Sequence, residues 1–550
     1  MTPIKMTTFS LALTLALAAC SSASAPGGPP EEDPPNESPA PEVTADFAIA
    51  LSTDKLPVLQ GSTASVEVTL TRKNGFTGAV RVSTEGLPIG ATIAPITFEG
   101  ATTKATLTVT AEAAAPHSLP TNVTVTGASE EGEVEEALTV TVYGPPGSLD
   151  TSFAGGKVVM PIGDSDDYAY ALAVQPDGKI LIAGRVSENL GDFAVVRLER
   201  DGTPDATFGE GGKVTTPIGL DTETAYAIAV QPDGKIVLAG NSKTASDGLD
   251  FALVRYLPDG KLDPDFGAQG KVTTAFTNDS DTAYAILIEP DGKIVVGGEA
   301  NRGTATTGFD FALARYLPNG QLDPSFGEGG RVTTPIRSSN GGDTIYSLAV
   351  QDIGGERCIV AAGGSGDFSL ARYRANGALD DRFGTQGKIT GVFGVPIGEA
   401  RAVKIFGGKI IVAGQADNDF AVARFTDQGQ PDVDFGQAGR VKTPINAEND
   451  DSAQGLDVEA DGKIVVGGWV NEGSSTSKNF ALVRYDTKGA LDPTFGGTGI
   501  VVTEVAAKPK TDLANAMLLQ SDERVPTTRV LLAGYASDSN YDFAVARYWR

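Results

Sequence analysis

Apolar residues alternate with Thr, Ser or charged residues along residues 46–143, with a period of two. The runs at 65–70, 107–110 and 138–142 show this alternation clearly, and turn sequences such as 73–75 separate neighbouring runs. A period of two predicts β-strands that bury one face and expose the other. About seven such runs within this span predict a small β-sandwich.

Three sequence blocks recur seven times from residue 147 onward. The first reads Leu-Asp-x-x-Phe, with Pro in place of Leu in two copies, and successive copies lie 52 to 60 residues apart. Residues 233–240 represent the second block, and residues 310–316 represent the third. Each unit holds four short strand-like runs separated by turns, without a helical segment. Four strands in each of seven units predict a β-propeller.

The sequence therefore predicts an all-β fold, with a seven-bladed β-propeller at residues 147–550 preceded by a small Ig-like β-sandwich at residues 46–143. Strands that neighbouring blades cover on both faces should be apolar on both sides, as residues 251–254 are. The innermost strands should carry small side chains, because the blades converge there. The third position of that strand fits this expectation in all seven units: Ala171, Ala227, Ala285, Ser347, Ala402, Gly455 and Ala516.

Two resemblances accompany this fold prediction. Residues 46–143 resemble an Ig-like or fibronectin-type domain, although the Cys–Trp–Cys core of antibody domains is missing. We interpret this domain as a spacer, with a ligand-binding module as the alternative. The blocks at 231–235, 250–256 and 262–267 resemble the delta-60 repeat, a bacterial repeat of about this length. That resemblance implies a propeller over residues 147–550 and implies no particular activity.

The ends of the repeat region predict how the ring closes. In six units the Arg of the third block precedes the Asp of the first block by eight residues, whereas the seventh pair is split between the two ends. We predict that residues 157–161 complete the blade formed by residues 512–550. We also expect each Arg to bind its Asp, the alternative being that these charges bind a ligand. The pairs are Arg197 with Asp205, Arg255 with Asp263, Arg315 with Asp323, Arg372 with Asp380, Arg424 with Asp432, Arg484 with Asp492, and Arg547 with Asp150.

The N-terminal segment predicts export. Lys5 precedes an apolar stretch, residues 9–19, that is too short to span a bilayer and is typical of a signal peptide. The ending Leu-Ala-Ala-Cys20 resembles a lipobox, which implies cleavage after residue 19 and lipid attachment at Cys20; an ordinary signal peptide with a chance cysteine is the alternative. Residues 20–45 are rich in Pro, Gly and Ser and predict an extended stalk. By resemblance to a bacterial sorting rule, Ser21 implies the outer membrane of the cell envelope.

The composition of the chain limits the partners and the reactions that we expect. The net charge of −27 excludes nucleic acid as a partner, since phosphate binding needs a basic surface. The only histidine, His117, is expected in an exposed loop, and Cys358 in an apolar run, so no nucleophile and base can be paired. We therefore expect no cofactor, no metal and no enzymatic activity. Calcium is the alternative for the acidic loops, although EF-hand and RTX spacings are missing. Their acidic residues are Asp166, Asp167, Asp279 and Asp281.

Loops on one rim of the predicted propeller vary between units, and variation of this kind gives scaffolds their binding specificity. Side chains at the start of the innermost strands should point toward the mouth of the channel, where they could stack on or hydrogen-bond to a glycan or protein ligand; filling of the space between blades is the alternative. We therefore predict a monomeric, lipid-anchored binding or scaffold module. A carboxylate-dependent glycan-active enzyme and a purely structural envelope protein are the competing hypotheses. This candidate rim comprises Tyr170, Tyr226, Tyr284, Tyr346, Arg401, Gln454 and Asn515.

Overall fold

A computed structural model gives the three-dimensional structure of most of the chain. Cys20 and the predicted signal peptide and stalk lie outside the part it describes. Within that part, no helix is long and apolar enough to cross a membrane. The described residues are 45–188, 191–219, 222–243, 248–301, 308–336, 342–364, 366–473, 477–506, 511–522, 525–537 and 540–550.

The first domain consists of two sheets packed around an apolar core. Alternate residues of its strands are buried, as Val66, Val68 and Leu70 show, which agrees with the period of two in the sequence. One sheet has the order β1-β3-β7-β5 and the other β2-β9-β8-β4-β6. The strands are β1 (Phe47–Leu51), β2 (Lys55–Leu59), β3 (Thr63–Arg72), β4 (Val80–Glu85), β5 (Ala91–Ile93), β6 (Ile96–Phe98), β7 (Lys104–Ala111), β8 (Thr121–Ser129) and β9 (Gly132–Tyr143).

In the part of the chain that the structure describes, seven four-stranded antiparallel sheets follow, and each is called a blade here. A short 3-10 turn, Ala154–Gly156, precedes them. The first three blades are β11 (Asp167–Val174), β12 (Ile180–Val186), β13 (Asp192–Leu198) and β14 (Lys213–Thr216); β15 (Thr224–Val230), β16 (Ile236–Lys243), β17 (Leu249–Tyr256) and β18 (Lys271–Thr274); and β19 (Asp281–Ile288), β20 (Ile294–Asn301), β21 (Phe309–Tyr316) and β22 (Arg331–Thr334).

The next three blades repeat this order, and the last one is composite. They are β23 (Ile345–Ile353), β24 (Glu356–Gly363), β25 (Ser369–Arg374) and β26 (Lys388–Ile389); β27 (Gly398–Phe406), β28 (Lys409–Ala416), β29 (Asp419–Phe425) and β30 (Arg440–Thr443); and β31 (Asp451–Val458), β32 (Ile464–Asn471), β33 (Lys478–Tyr485) and β34 (Ile500–Thr503). The closing blade combines β10 (Lys157–Met160) with β35 (Asp512–Asp522), β36 (Val525–Ser537) and β37 (Tyr541–Trp549).

The two ends of the repeat region meet in the closing blade. β10 pairs with β37 in antiparallel register, from Lys157 opposite Ala546 to Met160 opposite Phe543. Each innermost strand contacts the innermost strand of the next blade, and β35 contacts β11, so the blades form a closed ring. The middle strands are buried on both faces; Leu253 and Val254, for example, are both inaccessible to solvent. These features confirm the all-β class and the propeller-type repeats.

An Arg–Asp ion pair fixes the turn that follows the third strand of each blade. The Arg Nε lies 2.6 Å from the Asp Oδ2 in Arg197–Asp205 and 2.8 to 2.9 Å from it in the six other pairs. The guanidinium also covers the Phe ring of the first block, as Arg255 covers Phe266 with 4.4 Å between guanidinium carbon and ring centroid. Six of the seven arginines are buried, so their charges are engaged inside the protein.

A second cation contacts the same aspartates, in most blades from a Lys at the start of the second strand or directly before it. Lys179 lies 2.7 Å from Asp205, and Arg529 replaces the Lys at Asp150. Cys358 takes this place in the fourth blade; Arg382 supplies the cation there, with its Nε 2.7 Å from Oδ1 of Asp380. Burial alone would raise the pKa of Asp323, but the hydrogen bonds from Ser325 and the charges of Arg315 and Lys293 outweigh it and lower this pKa to about 2.

Buried carboxylates anchor the loops between blades. Oδ2 of Asp167 accepts hydrogen bonds from the backbone N–H groups of Ile162 and Gly163, at 2.6 and 3.1 Å. The carboxylates thus hold the loops that lead into the innermost strands. In the fourth blade the acceptor, Asp367, comes from the third strand side of the junction instead. The equivalent acceptors are Glu223, Asp281, Asp343, Asp451 and Asp512.

Candidate functional site

Every innermost strand contains a β-bulge, and the bulged residue is the candidate rim residue. In β15 the pairing with β16 passes from Ala225 to Ala227, so that Tyr226 has no partner in the ladder. A bulge bends its strand and re-aims a side chain. The same skip occurs in the other six innermost strands and leaves the remaining rim residues unpaired in the same way: Tyr170, Tyr284, Tyr346, Arg401, Gln454 and Asn515.

A glycine on the second strand accommodates each bulge. A Cβ atom on Gly240 would overlap the backbone carbonyl oxygen of Thr224, which the bulge pushes toward β16. No other residue type fits this position without a shift of the backbone. Equivalent overlaps meet the glycines of the six other blades: Gly184, Gly298, Gly363, Gly414, Gly468 and Gly534. The glycine of the second sequence block therefore permits the bulge that orients the rim side chain.

The seven rim residues line one cavity of about 930 Å³ at the centre of the ring. The cavity continues along the innermost strands, where small and aliphatic side chains such as Ala227, Leu348 and Met517 line it. All seven rim side chains are half-buried, so each is partly exposed to the cavity. A volume of this size lies within the range of small-molecule binding sites.

Four tyrosines form one wall of this cavity. Their ring centroids are separated by 5.0 Å for Tyr170 and Tyr226, 4.8 Å for Tyr226 and Tyr284, and 5.3 Å for Tyr284 and Tyr346. Successive rings are tilted by 45 to 57°, which follows the rotation from blade to blade. Burial raises the pKa of Tyr170 to about 12, so its hydroxyl stays protonated. The tyrosines therefore pack against one another and also line the cavity.

The opposite wall is polar. The guanidinium of Arg401 lies 3.9 Å from the centroid of the Tyr346 ring and forms an ion pair with Glu399. Gln454 donates a hydrogen bond to the Ser452 hydroxyl over 2.8 Å. Asn515 donates to the Ala169 carbonyl over 2.8 Å and so links the closing blade to the first. One mouth thus combines an aromatic wall with a wall of hydrogen-bonding groups.

A second ring of side chains, one from each blade, was missed by the sequence analysis. Each member directly follows the conserved glycine of the second block, and all seven members differ. Gln415 and Trp469 line the cavity, and Lys478 lies 3.7 Å from the Trp469 ring centroid. The signal was available, since one position that changes in every repeat beside an unchanging glycine indicates specificity. The members are Arg185, Asn241, Glu299, Gly364, Gln415, Trp469 and Tyr535.

Glu299 of this ring lies against the tyrosine wall. Tyr284 donates its hydroxyl to one carboxylate oxygen over 3.4 Å, and the Thr344 hydroxyl donates to the other. Burial raises the pKa of Glu299, the hydrogen bonds from Thr344 and Tyr284 lower it, and the nearby charges of Glu399 and Asp281 raise it further. The net effect is a raised pKa. None of the ion pairs among the described side chains involves Glu299.

The acidic loops that suggested calcium serve the backbone instead. Asp166 accepts hydrogen bonds from the Tyr168 hydroxyl and from the backbone of Tyr541, while Asp167 and Asp281 accept backbone N–H groups. Within the described ranges, no group of three or more His, Cys, Asp and Glu side chains is arranged to hold a metal ion. His117 is not an exposed loop residue: it is half-buried beside Trp549, whose indole donates to its Nδ1 over 3.0 Å.

Six segments of the chain match the family described as a domain of unknown function (DUF5122) beta-propeller. The matched repeats lie within residues 175–495. Each matched segment runs from the end of an innermost strand, or from the turn that follows it, to the Phe of the first block, so these repeats include the bulge-facing glycine and the Arg–Asp pair. The matched segments are 175–208, 231–266, 289–326, 354–383, 408–435 and 459–495.

Two solved structures to which the chain is similar are weak likenesses. A polysaccharide lyase of family PL25, an ulvan lyase bound to a GlcA(1-4)Rha3S saccharide, is 10% identical, with a TM-score of 0.39 over 71% of this chain and 96% of that chain. A DUF4784 family protein from Bacteroides caccae is also 10% identical, with a TM-score of 0.21 over 91% of this chain and 96% of that one. These scores support no statement about activity. No curated protein matches the sequence.

Proposed function

We propose that this protein is a non-enzymatic, lipid-anchored binding module of the bacterial cell envelope, whose DUF5122 propeller takes up a glycan at the mouth of its channel. The observation that carries the proposal is the convergence of all seven bulged residues on one cavity. A domain that acts only as a spacer would not need a bulge and an accommodating glycine in every blade.

The composition of the mouth favours a glycan. Aromatic rings provide flat apolar surfaces for the faces of sugar rings, and the amides and guanidinium provide donors and acceptors for hydroxyl groups. Tyr170, Tyr226, Tyr284 and Tyr346 supply the first kind of group, and Gln454 supplies the second. A protein ligand on the same rim is the alternative occupant. The sandwich, with its resemblance to an Ig-like domain, acts as a spacer between stalk and propeller.

A glycan array with the full exported chain tests the proposal. We expect binding of a defined set of oligosaccharides by the wild type and a loss of about ten-fold or more in affinity for Tyr226→Ala, which removes a central ring of the wall. Tyr143→Ala is the matched control, because that tyrosine lies at the end of the sandwich near Trp549. Binding that survives Tyr226→Ala unchanged would place the ligand elsewhere.

Anchoring is tested separately. Lipid attachment at Cys20 predicts that the wild type incorporates labelled fatty acid and sediments with outer membranes, because more than one acyl chain gives stable anchoring. Cys20→Ala should abolish the label and release the protein from the membrane fraction. Cys358→Ala is the matched control, since that thiol is buried in the propeller. Labelling of the Cys20→Ala chain would contradict the proposed anchor.

A further inference from the structure

We infer that the ligand carries a protonated amine, bound between Glu299 and the tyrosine wall, so that the preferred ligand is a glycan built from unacetylated amino sugars. This inference rests on the proposed function and adds the chemical class of the sugar. It follows from the charges around the mouth, from the aromatic faces beside them, and from the donors that Glu299 already accepts.

Glu299 is a carboxylate beside the tyrosine wall that has no cationic partner among the described ion pairs. It accepts the hydroxyl of Tyr284, which lines the cavity, whereas Arg401 forms its ion pair with Glu399. A half-buried carboxylate next to a second carboxylate is destabilised, and an incoming cation relieves that cost. An acidic sugar placed beside Glu299 would be repelled by its charge.

The aromatic wall favours a cation for an independent reason. A tyrosine ring attracts an ammonium group placed over its face, and rings of tyrosines are a known way to bind such groups. Tyr284 contacts Glu299 directly, and Tyr226 and Tyr346 flank Tyr284 at 4.8 and 5.3 Å. An amine held against the carboxylate would therefore also lie beside aromatic rings.

Hydrogen bonds to Glu299 leave room for a ligand. The two oxygens accept one hydroxyl each, from Tyr284 and Thr344, while a carboxylate offers about four acceptor positions. The second-ring position of the next blade is Gly364, which has no side chain to cover this carboxylate. The acidity of the whole chain, with a net charge of −27, would also steer cationic ligands toward it.

Cation binding also predicts a coupling to pH. The titratable groups near Glu299 are Tyr284 on its own blade, Tyr226 on the preceding blade, Tyr346, Glu399 and Arg401 on the following blades, and Asp281 at the start of β19. Because the pKa of Glu299 is raised, this carboxyl takes up its proton at a higher pH than an ordinary glutamate does. Affinity for the amine should therefore rise as Glu299 ionises and fall again once the amine loses its proton.

The test compares two ligands that differ only at the amine. Binding of glucosamine oligomers and of N-acetylglucosamine oligomers of equal length is measured by calorimetry with the full exported chain near neutral pH. We expect the glucosamine oligomer to bind wild type at least about ten-fold more tightly. Glu299→Gln should remove this preference, and a circular dichroism spectrum equal to that of wild type reports that the variant is folded. Glu448→Gln, an exposed acid elsewhere in the propeller, should keep the preference.

Each outcome decides between hypotheses. Equal affinities of wild type for both oligomers, or a preference that persists in Glu299→Gln, would overturn the inference and leave the proposed glycan function standing. If no glycan binds wild type, the proposed function itself fails. Binding of oligolysine in place of the glucosamine oligomer would assign the cation site to a peptide and overturn both. Added salt should weaken only the amine-dependent part of the affinity.

Discussion

Gly240 and the carbonyl oxygen of Thr224 face each other across the bulge of β15 so closely that a Cβ atom on the glycine would overlap the oxygen. Gly240→Ala should therefore shift β15 or flatten the bulge, at a cost of about 2 kcal/mol in the free energy of unfolding. Chemical denaturation measures this loss. Gly342→Ala is the control, since its Cβ would meet nothing closer than the Phe309 side chain at 3.3 Å. Equal stability of the two variants would contradict the proposed role of the bulge glycine.

The Arg–Asp pairs predict that the loss of a single carboxylate lowers the free energy of unfolding strongly. Asp263→Ala leaves the buried guanidinium of Arg255 without its carboxylate, a change that costs about 3 to 5 kcal/mol when an ion pair is buried. Thermal or denaturant unfolding should show the loss. Asp259→Ala, four residues earlier and paired with Lys261 at the surface, should change stability little. An unchanged midpoint for Asp263→Ala would return these charges to the ligand-binding hypothesis.

The raised pKa of Asp512 predicts that the stability of the fold depends on pH. Burial raises the pKa of this carboxyl to about 6, although the N–H groups of Val505 and Ala506 partly oppose the shift. A raised folded-state pKa means that the group stabilises the fold most at pH values below its unfolded pKa and that this contribution is lost as the pH rises through about 6.

Asp512→Asn keeps an oxygen acceptor for both N–H groups and removes the buried charge. The variant should therefore melt at a higher temperature than wild type near neutral pH, and the gain should disappear in mild acid. Asp512→Ala, which lacks the acceptor, should be less stable at both pH values. A constant difference between wild type and Asp512→Asn across this range would show that the charge is not the cause.

His117 couples the sandwich to the propeller. Its Nδ1 accepts hydrogen bonds from the Trp549 indole over 3.0 Å and from the Thr151 backbone over 3.2 Å, so this nitrogen cannot carry a proton. Burial lowers the pKa of His117 below its ordinary value, against the opposing charge of Asp150. Stability from this contact is therefore present at neutral pH and lost as the pH falls below the unfolded value of 6.5.

The fluorescence of Trp549 reports this junction once Trp469→Phe has removed the other tryptophan. The emission of this chain should change below about pH 6.5, as the indole loses its acceptor. The same chain with His117→Gln should show no such transition. A transition that persists in the His117→Gln chain would have to come from another group.

The sequence predicted the fold of the molecule better than it predicted the candidate functional site. The repeated blocks identified the propeller repeats and the strand pattern, because each block recurs with its own turn residues. They could not show that Tyr226 is bulged, since a bulge depends on the pairing with β16 and leaves no gap in the alternation. The second ring was missed although its signal is present in the sequence, as a position that differs in every repeat beside a recurring glycine.

Other differences have local physical causes. In the sequence, the acidic residues before the innermost strands look like calcium ligands. In the structure, Asp167 and Asp281 accept hydrogen bonds from the N–H groups of their own loops. Cys358 looked like part of an apolar run, and its place opposite Asp380 emerged only from strand register. His117 is half-buried through a contact 432 residues away in the chain, which no local pattern could indicate.

The pairing of β10 with β37 also has a consequence for the order of events during synthesis. β10 is made early, whereas β37, the strand with which it pairs, is made much later. Until β37 has been made, the first blade has no closing blade beside it and β10 has no strand to pair with. A chain truncated before Tyr541 therefore leaves an open edge, which exposes it to proteases and to aggregation.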